Sequence, residues 1–344
     1  MRDRLTATLR ASHILALLFT FSALVLVGIG ASVGDTFYIR LATEALIFAG
    51  LALSVDLLLG YSGALSLGQA LYFGVGAYTS ALVLMKVPSF WLAIFAAGGV
   101  TLITATIGGL IANRVRGVYF ALITFGMAQV IAKVVYNMRE IGASDGMTGV
   151  PVIDIALGPF SVSTEHPAGF FLVVLTIIMG LYAVAAYLLD TPFGRVVIAL
   201  KVNEKRLPFL GYSIWSARMA TYIFAALIAG LSGALYPMLR GFVSPELMFF
   251  ATSGNAVISV ILGGVGTLVG AIIGSVLLTF IKSFAGTLTE HHLVIIGGLF
   301  MACVLFLPQG LMGSIRPWLL DRLDRRDPPP GEVVSSATPS QGVK

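Results

Sequence analysis

One cysteine, Cys303, is the whole thiol content of 344 residues, so neither an intrachain disulfide nor a thiolate metal site is available. Charge is almost as scarce: 11% of residues are Asp, Glu, Lys or Arg, against about a quarter in soluble domains. There are four histidines, and the adjacent pair His291 and His292 does not make a metal site on one helix face. No P-loop occurs, so the chain does not hydrolyse ATP itself. No cluster of His, Asp or Glu suggests a membrane enzyme, and no basic and aromatic pattern suggests nucleic acid. A bound cofactor is not expected.

What remains is apolar. Hydrophobic residues make up 58% of the chain, and eight charge-poor runs approach or exceed the length of about 20 residues that crosses a hydrocarbon core. The expected fold is an all-α polytopic membrane protein. Two runs are longer than one span and carry glycine breaks, "GYSG" at 60–63 and "GGVGTLVG" at 263–270. Reading each break as a turn gives ten transmembrane segments, near 14–34, 40–59, 63–84, 90–112, 117–137, 169–189, 219–239, 247–264, 267–285 and 292–310. A re-entrant turn at either break reduces the count to eight or nine. The first run follows Arg2, Arg4 and Arg10 like a signal peptide, but it lacks a convincing cleavage site and is read as a retained span.

Lysine and arginine in short loops mark the cytoplasmic side. "NRVRG" at 113–117 and the loop 191–218 are basic, whereas 138–165 carries Glu140, Asp145, Asp154 and Glu165 against Arg139 and belongs outside. Residues 1–12 and the end with Arg316, Arg322, Arg325 and Arg326 are then cytoplasmic, enclosing a permease domain over 13–312. The last stretch, 327–344, is rich in Pro, Ser and Gly and reads as a disordered tail.

The stretch "GYSGALSLGQALYFGVGAYTSALVL" places five glycines and several hydroxyls in an apolar context. One reading is a broken helix whose Ser66, Gln69 and Tyr78 face a translocation path. The other is close helix packing by small residues. A second stretch of this kind is "SGNAVISVILGGVGTLVGAIIG" at 253–274. Among ionisable residues, Arg40 and Glu44 read as an exposed pair, while Asp56 and Lys133 each lie about a turn from a membrane face and reach it by snorkelling. With no carboxylate, His or Lys deep in a span, ion coupling is disfavoured. The loop "TPFGRVVIALKVNEKRLPFLGYS" mixes apolar and charged residues as a short amphipathic helix does, with Val197, Ala199 and Leu200 on one side. It is read as a docking surface for a cytoplasmic partner, the alternative being a solvated connection.

Six blocks in order, the two glycine-rich stretches together with "RVRGVYFALITFGMAQVI", "SDGMTGVP", "FGRVVIALKVNEKRLPFLGYS" and "FAALIAGLSGALYPMLRGFVSP", resemble the LivM and LivH permeases of branched-chain amino acid ABC transporters, closer to LivM. The resemblance implies a subunit in a bacterial inner membrane. Its implied partners are a second homologous permease, two cytoplasmic ATPases that use ATP, and a periplasmic binding protein. It implies that Ala199, Asn203, Glu204 and Gly211 contact the ATPase. Leu207 and Pro208 stand where the family pattern has smaller residues, so the helix is expected to end early. Permeases for urea or amides, and an ion-coupled carrier, are the alternatives.

Overall fold

The computed structural model describes residues 36–157, 160–164 and 166–288, with scattered positions from 294 to 313. The expected segments 14–34 and most of 292–310, the N-terminal region, the C-terminal tail and Cys303 lie outside them.

The other eight expected segments are all helical. Helix α1, Thr36–Asp56, widens into a π-helix over Leu57–Ser62. Then come α2 (Gln69–Lys86), α3 (Phe90–Ala112), α4 (Val118–Asn137) and α5 (Pro167–Asp190). Helix α6 (Pro192–Asn203) precedes α7 (Ile214–Gly233), whose direction is continued by the short α8 (Tyr236–Arg240). Helices α9 (Phe250–Gly263) and α10 (Val269–Leu288) complete the described bundle. Six helical stretches among the described residues are long and apolar enough to cross a membrane. Helices α2 and α9 are not among them, and the 14 residues of α9 rise about 21 Å, against a hydrocarbon core of about 30 Å.

The expectation of helices alone needs a small amendment. Strand β1 (Met147–Thr148) pairs antiparallel with β4 (Phe242–Val243), and β2 (Asp154–Leu157) with β3 (Phe160–Ser163). These pairs satisfy the backbone of the acidic loop and tie it to the residues after α8.

Helices α1, α2 and α7 form the centre. Helix α2 packs on α3 and α7, and α1 packs on α5, α7, α9 and α10. The composition of α2 follows from that position. Its glycines admit neighbouring backbone: a Cβ on Gly76 would meet the carbonyl of Gly230, and one on Gly233 would meet that of Phe73. A buried pair of hydroxyls, Tyr72 and Tyr222, joins α2 to α7 at 2.8 Å. For these glycines the close-packing reading is the one the structure supports.

The start of α2 falls six residues later than expected, because residues 63–68 are not helical. Backbone groups freed there must find protein partners in a membrane. The N–H of Leu67 donates to Thr124 Oγ1 at 3.3 Å, and that of Ala70 to Ser253 Oγ at 3.1 Å. The break is therefore held from α4 and α9, two elements distant in sequence.

Candidate functional site

One end of the bundle gathers the basic loops. Helix α6 starts at Pro192, whose missing N–H is harmless in a first turn, and its Val196, Val197 and Leu200 are buried. The apolar face anticipated for this loop is thus turned toward the bundle. Past Asn203 the chain makes two 3-10 turns, Glu204–Arg206 and Pro208–Leu210, so the helix does end early. Val202 at the end of α6, Leu210 in the second turn and Tyr212 just past it are exposed, together with Phe209, which is 90% accessible.

Two contacts fix α6 to the helix break. Lys201 Nζ donates to the carbonyl oxygen of Gly60, inside the π-helix, at 2.7 Å. Glu204 accepts from Arg116 at 2.7 Å and also pairs with Arg218, joining the loop to the α3–α4 connection and to α7.

Asp56 continues this chain of contacts. It is fully buried, and its Oδ1 and Oδ2 accept the N–H groups of Gly266 at 2.6 Å and Leu268 at 2.9 Å. The snorkelling reading of Asp56 is therefore corrected: the carboxylate turns inward to cap the α9–α10 turn. Leu268 there has a φ of +51°, a left-handed conformation costing roughly 1–2 kcal/mol for a residue with a Cβ. Gly60 lies against Gly266 so closely that a Cβ would meet its backbone N at 2.5 Å. The sequence Lys201, Gly60, Asp56, Gly266 is a continuous connection from α6 to the turn between α9 and α10. Lys133, by contrast, is exposed and lies over the Tyr136 ring at 4.4 Å, as a snorkelling residue would.

Toward the opposite end, α1, α9 and α10 enclose a cavity of about 440 Å³. Each helix contributes one stripe. Leu41, Glu44, Phe48 and Leu51 come from α1, Thr252, Asn255 and Ser259 from α9, and Ser275, Thr279 and Lys282 from α10. The Arg40–Glu44 pairing expected from sequence is not formed; Glu44 pairs with Arg240, and both line this cavity. Lys282 escaped the sequence reading, although Ser275, Thr279 and Lys282 recur at the helical period on one face.

The three proposed path residues are elsewhere. Ser66, Gln69 and Tyr78 are 1%, 0% and 5% accessible, and none lines this cavity. Gln69 Oε1 accepts from Ser54 at 3.4 Å, while its Nε2 and the Tyr78 hydroxyl have no partner among the described residues. Of the four coupling residues, Asn203 and Gly211 are exposed, Ala199 is half-buried, and Glu204 is engaged within the chain. Gly211 has a φ of +79°, which favours glycine.

The chain is a multi-helix membrane bundle with a broken helix, a cavity that carries a few charged groups on a mostly apolar lining, and a loop fixed to the break, and comparison with known proteins identifies its family. Residues 37–304 match the family described as branched-chain amino acid transport system, permease component. The chain belongs to this family. The permease protein LivM of a high-affinity branched-chain amino acid transport system in Salmonella typhimurium is 29% identical over 303 residues, covering 82% of this chain and 71% of the relative. A probable LivM of Methanocaldococcus jannaschii is 26% identical over 273 residues, covering 67% and 76%. LivH of Salmonella typhimurium is 22% identical over 281 residues, covering 77% and 91%. No solved structure matches the chain. Both LivM and LivH types are thus relatives of this membrane permease.

Proposed function

We propose that this chain is the transmembrane subunit of an ATP-binding-cassette importer and, with a second homologous permease, forms the path for leucine, isoleucine, valine or related amino acids. A periplasmic binding protein delivers the substrate, and two cytoplasmic ATPases supply the energy. Family membership supports this reading over urea or amide import and over an ion-coupled carrier. The observation that carries the coupling is the end of α6 with the loop after it: Lys201 fixes it to the helix break, while Val202, Phe209, Leu210 and Tyr212 are exposed. Four exposed large apolar side chains within eleven residues are what a partner surface provides. On this reading Ala199, Asn203, Glu204 and Gly211 shape the docking segment. ATPase closure moves α6, and Lys201 and Asp56 pass that movement to the α9–α10 turn.

Phe209→Asp is expected to abolish co-purification of the ATPases and ATP-driven uptake while the permease inserts and folds normally. An exposed phenyl without a partner would tolerate the change within about 0.5 kcal/mol. Retention of the ATPases at wild-type level would remove this patch from the mechanism.

The basic end is proposed to be cytoplasmic, in a bacterial inner membrane, with both termini on that side. Single cysteines replacing the exposed Ser144 and Ser213, in a Cys303→Ser background, test it. An impermeant thiol reagent added to intact cells should label the Ser144→Cys variant and spare Ser213→Cys. The reverse pattern inverts the orientation.

A further inference from the structure

We propose that the cavity between α1, α9 and α10 binds an α-amino acid in its zwitterionic form, with an aliphatic side chain against the apolar wall. This deepens the functional reading above and rests on it.

Among the described residues, the charges lining the cavity do not balance. Glu44 pairs with Arg240 and also attracts Lys282 at longer range, so one carboxylate faces two cations, and Lys282 makes no hydrogen bond or ion pair within 4 Å among the described residues. An ionisable side chain within a membrane bundle is costly and marks a functional position. A ligand carboxylate placed between Lys282 and Arg240 supplies the missing anion. In doing so it draws Arg240 from Glu44, and only a ligand that brings its own cation returns a partner to that carboxylate. An α-ammonium and an α-carboxylate on one carbon meet both needs. Phe48, Leu51 and Leu278 supply the apolar wall, while Asn255 and Thr279 offer neutral hydrogen-bonding groups. The volume of about 440 Å³ suits a small solute.

The position suits transport as well. The cavity-lining helices α9 and α10 meet in the turn that Asp56 caps, so a site between them is mechanically joined to the loop that receives the ATPases.

The whole transporter in proteoliposomes, supplied with ATP and radiolabelled leucine, tests the site. Lys282→Met is expected to lower uptake by about tenfold or more, as loss of a charge-assisted hydrogen bond does, while the ATPase subunits still co-purify with the permease. Lys282→Arg should recover part of the loss. Independently, in an Asn255→Cys, Cys303→Ser permease, leucine should slow thiol labelling, whereas leucinamide and 4-methylpentanoate, each lacking one charge, should not. This second measurement decides the matter if Lys282→Met does not fold. Wild-type leucine uptake by Lys282→Met, or equal protection by all three compounds, overturns the site and leaves the importer reading intact. Absence of leucine uptake by the unmodified transporter overturns the importer reading, and this site with it.

Discussion

Gly76→Val is expected to leave no folded permease to purify, and even Gly76→Ala to lower its thermal stability. A Cβ at position 76 would overlap the Gly230 carbonyl oxygen, with the carbonyl carbon at 2.7 Å and the Cα at 2.8 Å. All three are backbone atoms of α7, so no side chain can rotate away. Gly233 makes the reciprocal contact with the Phe73 carbonyl, and the two helices touch backbone to backbone on both sides. Relief requires α2 and α7 to separate, which also pulls apart the Tyr72–Tyr222 hydroxyl pair. Overpacking costs about 1–3 kcal/mol where side chains can yield, and more is expected where they cannot. Gly99 provides the control, because a Cβ there meets nothing within 4 Å. Gly99→Ala should be neutral or stabilising by up to about 1 kcal/mol, since glycine inside a helix carries that entropic cost. Melting followed by size-exclusion chromatography of the detergent-solubilised protein measures both. Equal behaviour of Gly76→Ala and Gly99→Ala would show that this crossing does not limit stability.

Asp56→Ala should remove transport and much of the stability together. The substitution leaves the N–H groups of Gly266 and Leu268 facing each other's surroundings without an acceptor. Each buried orphan donor costs about 1–3 kcal/mol, and the left-handed Leu268 then loses one of the contacts that hold it. Asp56→Asn is the more informative change. Its amide offers one acceptor and one donor to two N–H groups, so one of them meets a donor. Partial stability with uptake falling further than ATPase binding would mean that the cap transmits motion as well as holding the turn. Lys201→Met should share that second phenotype, because it cuts the same connection at Gly60 without burying an orphan in the turn. Full uptake by both Asp56→Asn and Lys201→Met would separate α6 from the turn.

Much of the helical layout was legible in the sequence because a membrane leaves few solutions. Every backbone group must be bonded within the chain, so a long apolar run is a helix, and a glycine-rich interruption in one is a break. Thus α3 was placed to the residue, and α4 and α5 to within two. The breaks at 60–63 and 263–270 were also visible, although the first runs on to residue 68, and so was the early end of α6 at Leu207 and Pro208. What failed was the assignment of partners to polar groups. Distance from the end of a span suggests that Asp56 can snorkel, but the choice depends on whether donors face it. Those donors come from a turn 210 and 212 residues away. Glu44 likewise has Arg40 one helical turn away, yet it pairs with Arg240 at the end of α8, far away in sequence.

The sequence by itself determined that this chain is a membrane-embedded helical protein, where its helices break, and which permease family its ordered blocks belong to. These are properties of local composition and of residues close together in the chain. Only the tertiary structure decided that α2 sits in the centre with its glycines against neighbouring backbone, and that Ser66, Gln69 and Tyr78 are buried there. It alone brought Glu44, Arg240 and Lys282 to one cavity and joined Lys201 to Asp56 through Gly60 and Gly266. The reason is physical: a charge in a low-dielectric bundle is governed by whichever group lies within a few ångströms. Helix packing sets that neighbour, and spacing along the chain does not.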